Sequence, residues 1–145
     1  MSGLKIGVLH PGAMGESLAA TAKNTGHEVY WAYSKGTTAL LCAVLAAAEG
    51  LGIRDELEEQ WSRDGSEHPA QAKERARRAT TKAWRFVAEM HEIEMTLSSV
   101  GLPGGFHFAA GEIYDRMAGF KGETDIPPLE QVLRSLIHPA ESSAA

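Results

Sequence analysis

A mostly α-helical chain opened by a short strand-helix-strand unit is what this sequence predicts, on three observations. A run of strand formers, Leu4–His10, ends in the turn "HPGAMG" and is followed by a second aromatic and β-branched run, "EVYWA". From Ala70 to Ser99 apolar residues recur at three- and four-residue steps, the period of one buried helical face. The breaks "GLG", "VGLPGG" and "IPP" cut the remainder into segments of helical length.

Taken in order, Leu4–His10 is short and, apart from Lys5 and His10, apolar, as a buried parallel strand is. Between Gly15 and Asn24, Leu18, Ala19 and Ala22 keep helical spacing, and Gly26 stands where a C-terminal cap is expected. "EVYWA" then predicts a second strand, completing a βαβ crossover. After "YSKGTT" an Ala/Leu-rich helix runs from Thr37 to Gly50, and "RDELEEQWS" forms a shorter one supported by Asp55 near its start. The loop "RDGSEHP" delivers Pro69 to the first turn of a long helix, Ala70–Ser99, whose stripe is Ala76, Ala79, Ala83, Phe86, Val87, Met90, Ile93 and Leu97. A helix over Phe106–Phe120 and a final one, "LEQVLRSLIH", follow, with a small polar tail. The expected units are therefore 1–33, 34–138 and a flexible 139–145.

The chain has 145 residues, enough for one sizeable core, with 43% hydrophobic and 23% charged residues, an ordinary globular composition. A formal charge of −5 speaks against a nucleic-acid partner, and the basic "KERARR" reads as one solvated helix face. The single cysteine, Cys42, lies inside "TTALLCAVLAAA" and reads as a buried thiol in a reducing compartment. That apolar run is shorter than the roughly 20 residues of a membrane span, and no leader pattern opens the chain, so a soluble cytoplasmic protein is expected. Position 95 is Met95, so "HEIEM" lacks the second histidine of a zinc helix, and no metal is expected. No nucleophile elbow supports a hydrolase. Trp61, Trp84 and Tyr114 read as core or interface aromatics.

The turn His10-Pro11-Gly12-Ala13-Met14-Gly15 joins a strand to a helix N-terminus, where unpaired N–H groups and the helix dipole favour a pyrophosphate. Gly12 and Gly15 fit the second and third positions of a dinucleotide fingerprint, while His10 replaces the first glycine. No acidic residue ends the second strand, which reads Trp31-Ala32-Tyr33, and Glu16 would repel a phosphate. The turn is thus either a cofactor cradle or a plain βα turn. If a dinucleotide binds, Ser34 and Lys35 tilt the choice towards the 2′-phosphorylated form, NADP over NAD.

The stretch "IGVLHPGAMGESLAATAKNTGHEVYWA" resembles the start of the β-hydroxyacid dehydrogenase superfamily, which includes 6-phosphogluconate and 3-hydroxyisobutyrate dehydrogenases and imine reductases. "AYSKGTTALLCAVLAAAEGLGI" and "GLPGGFHFAAGEIYDRMAGFKG" resemble the helical C-terminal domain of its 6-phosphogluconate-dehydrogenase-like NAD(P)-binding branch. The resemblance implies a βαβ Rossmann remnant lacking most of its sheet, joined to a helical domain interlocked as a homodimer. It also implies a catalytic lysine near the start of the interdomain helix, where Lys35 is the lysine present.

Two functions follow as expectations. One is a minimal NAD(P)H-dependent oxidoreductase acting on a small carbonyl or imine substrate, with His10, Pro11, Gly12, Ala13, Met14, Gly15 and Ser34 at the cofactor. Lys35 or His107 would supply the proton. The other is a non-catalytic helical homodimer, a binding or structural remnant of a dehydrogenase.

Overall fold

The computed structural model describes residues 27–63 and 65–139. The expectations for Leu4–His10, for the turn His10–Gly15, for the helix up to Asn24 and for most of the tail lie outside these residues. Six α-helices are described: α1 (His27–Gly50), α2 (Arg54–Ser62), α3 (His68–Ala79), α4 (Ala83–Ser99), α5 (Gly105–Met117) and α6 (Leu129–Ile137). A 3-10 turn, Ala118–Phe120, extends α5. There is no strand among the described residues, and none of the described helices is long and apolar enough to cross a membrane.

Helix α1 is the axis of the bundle and touches each of the other five. Its inward face, Ala39, Cys42, Leu45, Ala46 and Ala48, is spaced for one side of a helix and made of small or slim side chains. Against it lie Leu129, Val132, Leu133 and Leu136 from α6 and Ala110, Tyr114 and Met117 from α5. The core continues through Ala76 and Ala79 of α3 to Ala83, Met90 and Ile93 of α4, and Phe86, Val87 and Leu97 pack on it partly buried. The stripe read from the sequence is therefore the core face of α3 and α4.

That stripe does not belong to one helix. The single helix expected over Ala70–Ser99 is broken between Ala79 and Ala83. The amides of Thr80, Thr81 and Lys82 each bond three residues back, to Arg77, Arg78 and Ala79, tightening the turn. The hydroxyls of Thr80 and Thr81 bond the same Arg77 and Arg78 carbonyls, competing with the i→i−4 ladder. The break lets α3 pack against α1, α2 and α6 while α4 pairs with α5.

The second strand expected over Glu28–Ala32 is also corrected: these residues open α1, which runs unbroken through the "YSKGTT" loop position to Gly50. The β propensity of Trp31 yields to packing. As helix, Trp31 meets the Lys35 ammonium one turn on, 4.6 Å from its ring centre, and the Ala32 carbonyl accepts from His107 at 2.9 Å.

Two helix ends use the same device. After α1 the amides of Gly52 and Ile53 bond Glu49 and Ala48, with Gly52 at φ 71°. After α4 the amides of Gly101 and Leu102 bond Ser98 and Leu97, with Gly101 at φ 81°. Both are Schellman closures, which need the left-handed conformation that glycine adopts without strain. The second turns the chain back so that Gly104 crosses α4 closely: a Cβ there would lie 2.9 Å from the Glu94 carbonyl oxygen. The other helix ends fall close to where the sequence places them, apart from the stop of α3 and the start of α4 inside the single expected helix. Pro69 falls in the first turn of α3, and Pro128 precedes α6.

Arginines fasten the bundle. Arg77 donates to the carbonyls of Pro127 (2.8 Å) and Ile126 (3.3 Å), and Arg116 caps the Leu136 carbonyl at 2.7 Å. Arg54 lies 3.1 Å from Glu49 and 3.4 Å from Glu130, joining the end of α1 to α6.

Candidate functional site

Of the two proton-donor candidates, Lys35 belongs to the turn of α1 on which His107 is seated. Lys35 points towards α4. Its ammonium pairs with Glu89 and rests 4.6 Å from the Trp31 ring centre and 4.5 Å from that of Phe86. Both charged side chains are 18% exposed, so the pair is held largely out of water with aromatic faces completing its surroundings. The turn itself is pinned by Tyr114, whose hydroxyl donates to the Lys35 carbonyl at 2.6 Å.

His107 arrives from the first turn of α5. Its Nε2 lies 2.9 Å from the Ala32 carbonyl, and because a carbonyl only accepts, that nitrogen carries the hydrogen. Nδ1 is buried and has no hydrogen-bond partner among the described residues. The ring reaches α1 because position 36 is glycine: a Cβ there would stand 3.0 Å from Nε2.

Ser34, the cofactor candidate within the described residues, sits one residue before Lys35. Its carbonyl is crowded by donors: Thr37 and Thr38 hydroxyls at 3.1 and 2.8 Å, and the Arg75 guanidinium at 2.8 Å. Its own hydroxyl lies 3.5 Å from the Trp31 carbonyl. Arg75 also donates to Thr37 and Thr38, so a fixed cation stands beside Ser34. His10, Pro11, Gly12, Ala13, Met14 and Gly15 lie outside the described residues.

Between α1 and α5 lies an open groove of about 620 Å³. Ala32, Gly36, Leu40 and Ala43 form one wall and Phe106, His107, Ala109 and Ile113 the other. His107 is thus a lining residue, whereas Lys35 lies on the α4 side and does not line the groove. The sequence reading missed Glu89 and the groove, and read Phe86 only as part of the core stripe. Glu89 is 54 residues from Lys35 and carries no local signal, and the groove's carbon surface resembles any helical core face until its exposure is known. No cluster of three or more His, Cys, Asp or Glu able to hold a metal occurs among the described residues.

The remaining buried polar groups are chemically quiet. Burial pushes the Cys42 thiol up to about 12, with Arg75 opposing weakly. Burial likewise raises the Tyr114 phenol, helped by the neighbouring Cys42. Neither is poised as a nucleophile at neutral pH.

Residues 48–117 match a domain of unknown function, DUF1932. This domain is found at the C-terminal end of 6-phosphogluconate-dehydrogenase-like NAD(P)-binding proteins, which links the helical bundle coarsely to dehydrogenases. The matched span runs from the end of α1 through α5 and includes Glu89, His107 and Tyr114. No curated protein and no solved structure matches the chain.

Proposed function

We propose that this chain is a minimal NAD(P)H-dependent oxidoreductase that reduces a small carbonyl or imine compound, with NADP favoured over NAD. The observation that carries the reading is that His107 is seated on the turn of α1 that carries Lys35, beside an apolar groove, in a bundle of which residues 48–117 match a dehydrogenase-associated domain. A bound nicotinamide would supply the hydride. The chain's own part is to hold the phosphates at His10–Gly15 and Ser34, to wall the substrate, and to deliver a proton to the oxygen or nitrogen that the reduction leaves electron-rich.

Of the two donors Lys35 has N–H groups to spare, although its side chain does not line the groove. It carries three N–H groups, whereas His107 has already committed its Nε2–H to Ala32. To act, the Lys35 ammonium must leave Glu89 and swing past Gly36 towards the groove.

The test is calorimetric titration of NADPH, then NADH, into the protein and into Gly12→Asp. Saturable binding lost in the variant supports the reading; no binding up to millimolar cofactor defeats it.

A second reading, a non-catalytic homodimer in the cytoplasm, is favoured by one observation. Apolar side chains stay exposed along the outer side of α1 and the start of α5: Tyr33 (74%), Leu40 (63%) and Phe106 (84%). Pairing with a second copy would cover them. Sedimentation equilibrium decides, with a monomer at micromolar concentration counting against it.

A further inference from the structure

We infer that the α1/α5 groove binds the neutral, apolar body of a ring-bearing carbonyl or imine compound, and rejects phosphorylated or carboxylate substrates. This deepens the oxidoreductase reading and rests on it for the substrate's reactive group.

The argument is one of charge and shape. No Lys, Arg, Asp or Glu lines the groove, and its walls are carbon from Leu40, Ala43, Phe106, Ala109 and Ile113. Of its polar side chains, His107 donates through Nε2 to Ala32 and Thr37 donates to the Ser34 carbonyl, while Tyr33 stands exposed at the rim. The nearby cations are also engaged elsewhere, Lys35 by Glu89 and Arg75 by Ser34, Thr37 and Thr38. An anion entering the groove would lose water and find no cationic side chain to pair with, which makes its burial unfavourable. A neutral ring meets the opposite situation. The volume of about 620 Å³ falls within the range of small-molecule sites, and Tyr33 and Phe106 offer aromatic faces at the rim.

The experiment uses saturation-transfer NMR on the full chain without cofactor, with two probes sharing one ring: acetophenone, neutral, and 4-acetylbenzoate, its carboxylate counterpart. Two variants accompany the wild type, Leu40→Asp, which places a charge in the groove, and Ala109→Trp, which fills it. Both positions are exposed, so both variants should fold, as circular dichroism will check. Acetophenone is expected to bind the wild type, to weaken about tenfold or more in each variant, and to outcompete 4-acetylbenzoate. The inference is overturned if acetophenone does not bind, if the two probes bind alike, or if both variants keep wild-type affinity. It is also overturned if the wild type sediments as a dimer that Leu40→Asp dissociates while acetophenone fails to bind, for then a second copy occupies the groove. Binding of acetophenone by a protein that ignores NADPH would keep the groove assignment and sink the oxidoreductase reading. NADPH binding without acetophenone binding would do the reverse.

Discussion

Cys42 and Tyr114 are both wholly buried, and burial sets how they respond to alkali. The folded protein keeps the Cys42 proton from its ordinary 9.0 up to about 12, a window in which the unfolded chain releases it. The unfolded state binds fewer protons there, so stability is flat at neutral pH and falls as pH rises through that window. Tyr114, raised from 10.0, adds to the loss from that value upward. Urea unfolding at pH 8, 9 and 10 should show a falling midpoint, less steeply in Cys42→Ala. The thiol should resist alkylation until the chain unfolds. Among the described glycines, Gly104 has the closest backbone neighbour. Alanine there meets the Glu94 backbone carbonyl, which cannot swing aside, and Gly104→Ala should cost about 1–3 kcal/mol in urea denaturation. Gly36→Ala instead meets the His107 ring, which can move, so the expected cost is smaller.

The first turns of α1 stand where the sequence indicated a strand and a loop. What holds them as helix is a set of partners from other elements: Phe86 and Glu89 of α4, His107 and Tyr114 of α5, and Arg75 of α3. The Lys35–Glu89 pair should therefore couple α1 to α4. In a double-mutant cycle with Lys35→Met and Glu89→Gln, the coupling is expected at about 1 kcal/mol or more, above that of an exposed pair. Trp31 fluorescence should change in Lys35→Met, because the ammonium leaves its ring. The α3–α4 break shows the same division of labour. The apolar spacing on both sides was legible, but periodicity is nearly blind to a three-residue tightened turn that keeps the stripe almost in phase.

Across the whole molecule, α6 is held by side chains that reach it from far along the chain. Arg77 satisfies two carbonyls of the segment leading into α6, and Arg77→Ala should leave them without these donors, destabilising the fold by about 1–3 kcal/mol. Thermal unfolding measures this, and the loss should exceed that in Arg78→Ala, whose guanidinium is largely exposed and pairs with Glu74 on its own helix. Helices α2, α5 and α6 were readable within a few residues because Pro69, Pro128, "GLG" and "VGLPGG" act locally, through fixed φ or left-handed turns. Lys35 and His107 were readable as candidates by residue type. Their partners and the groove beside them were not, since each depends on atoms supplied by elements distant in sequence.

By itself the sequence determined a helix-rich composition, the core stripe, the glycine and proline helix stops and a buried thiol, because those follow from residue type, spacing and backbone conformation over a few positions. The tertiary structure alone decided that Glu28–Ala32 is helix, that Lys35 is paired between two rings, that His107 gives its hydrogen to Ala32, and that an uncharged groove lies open between α1 and α5. Each of these depends on which surfaces meet and which groups lose water in doing so.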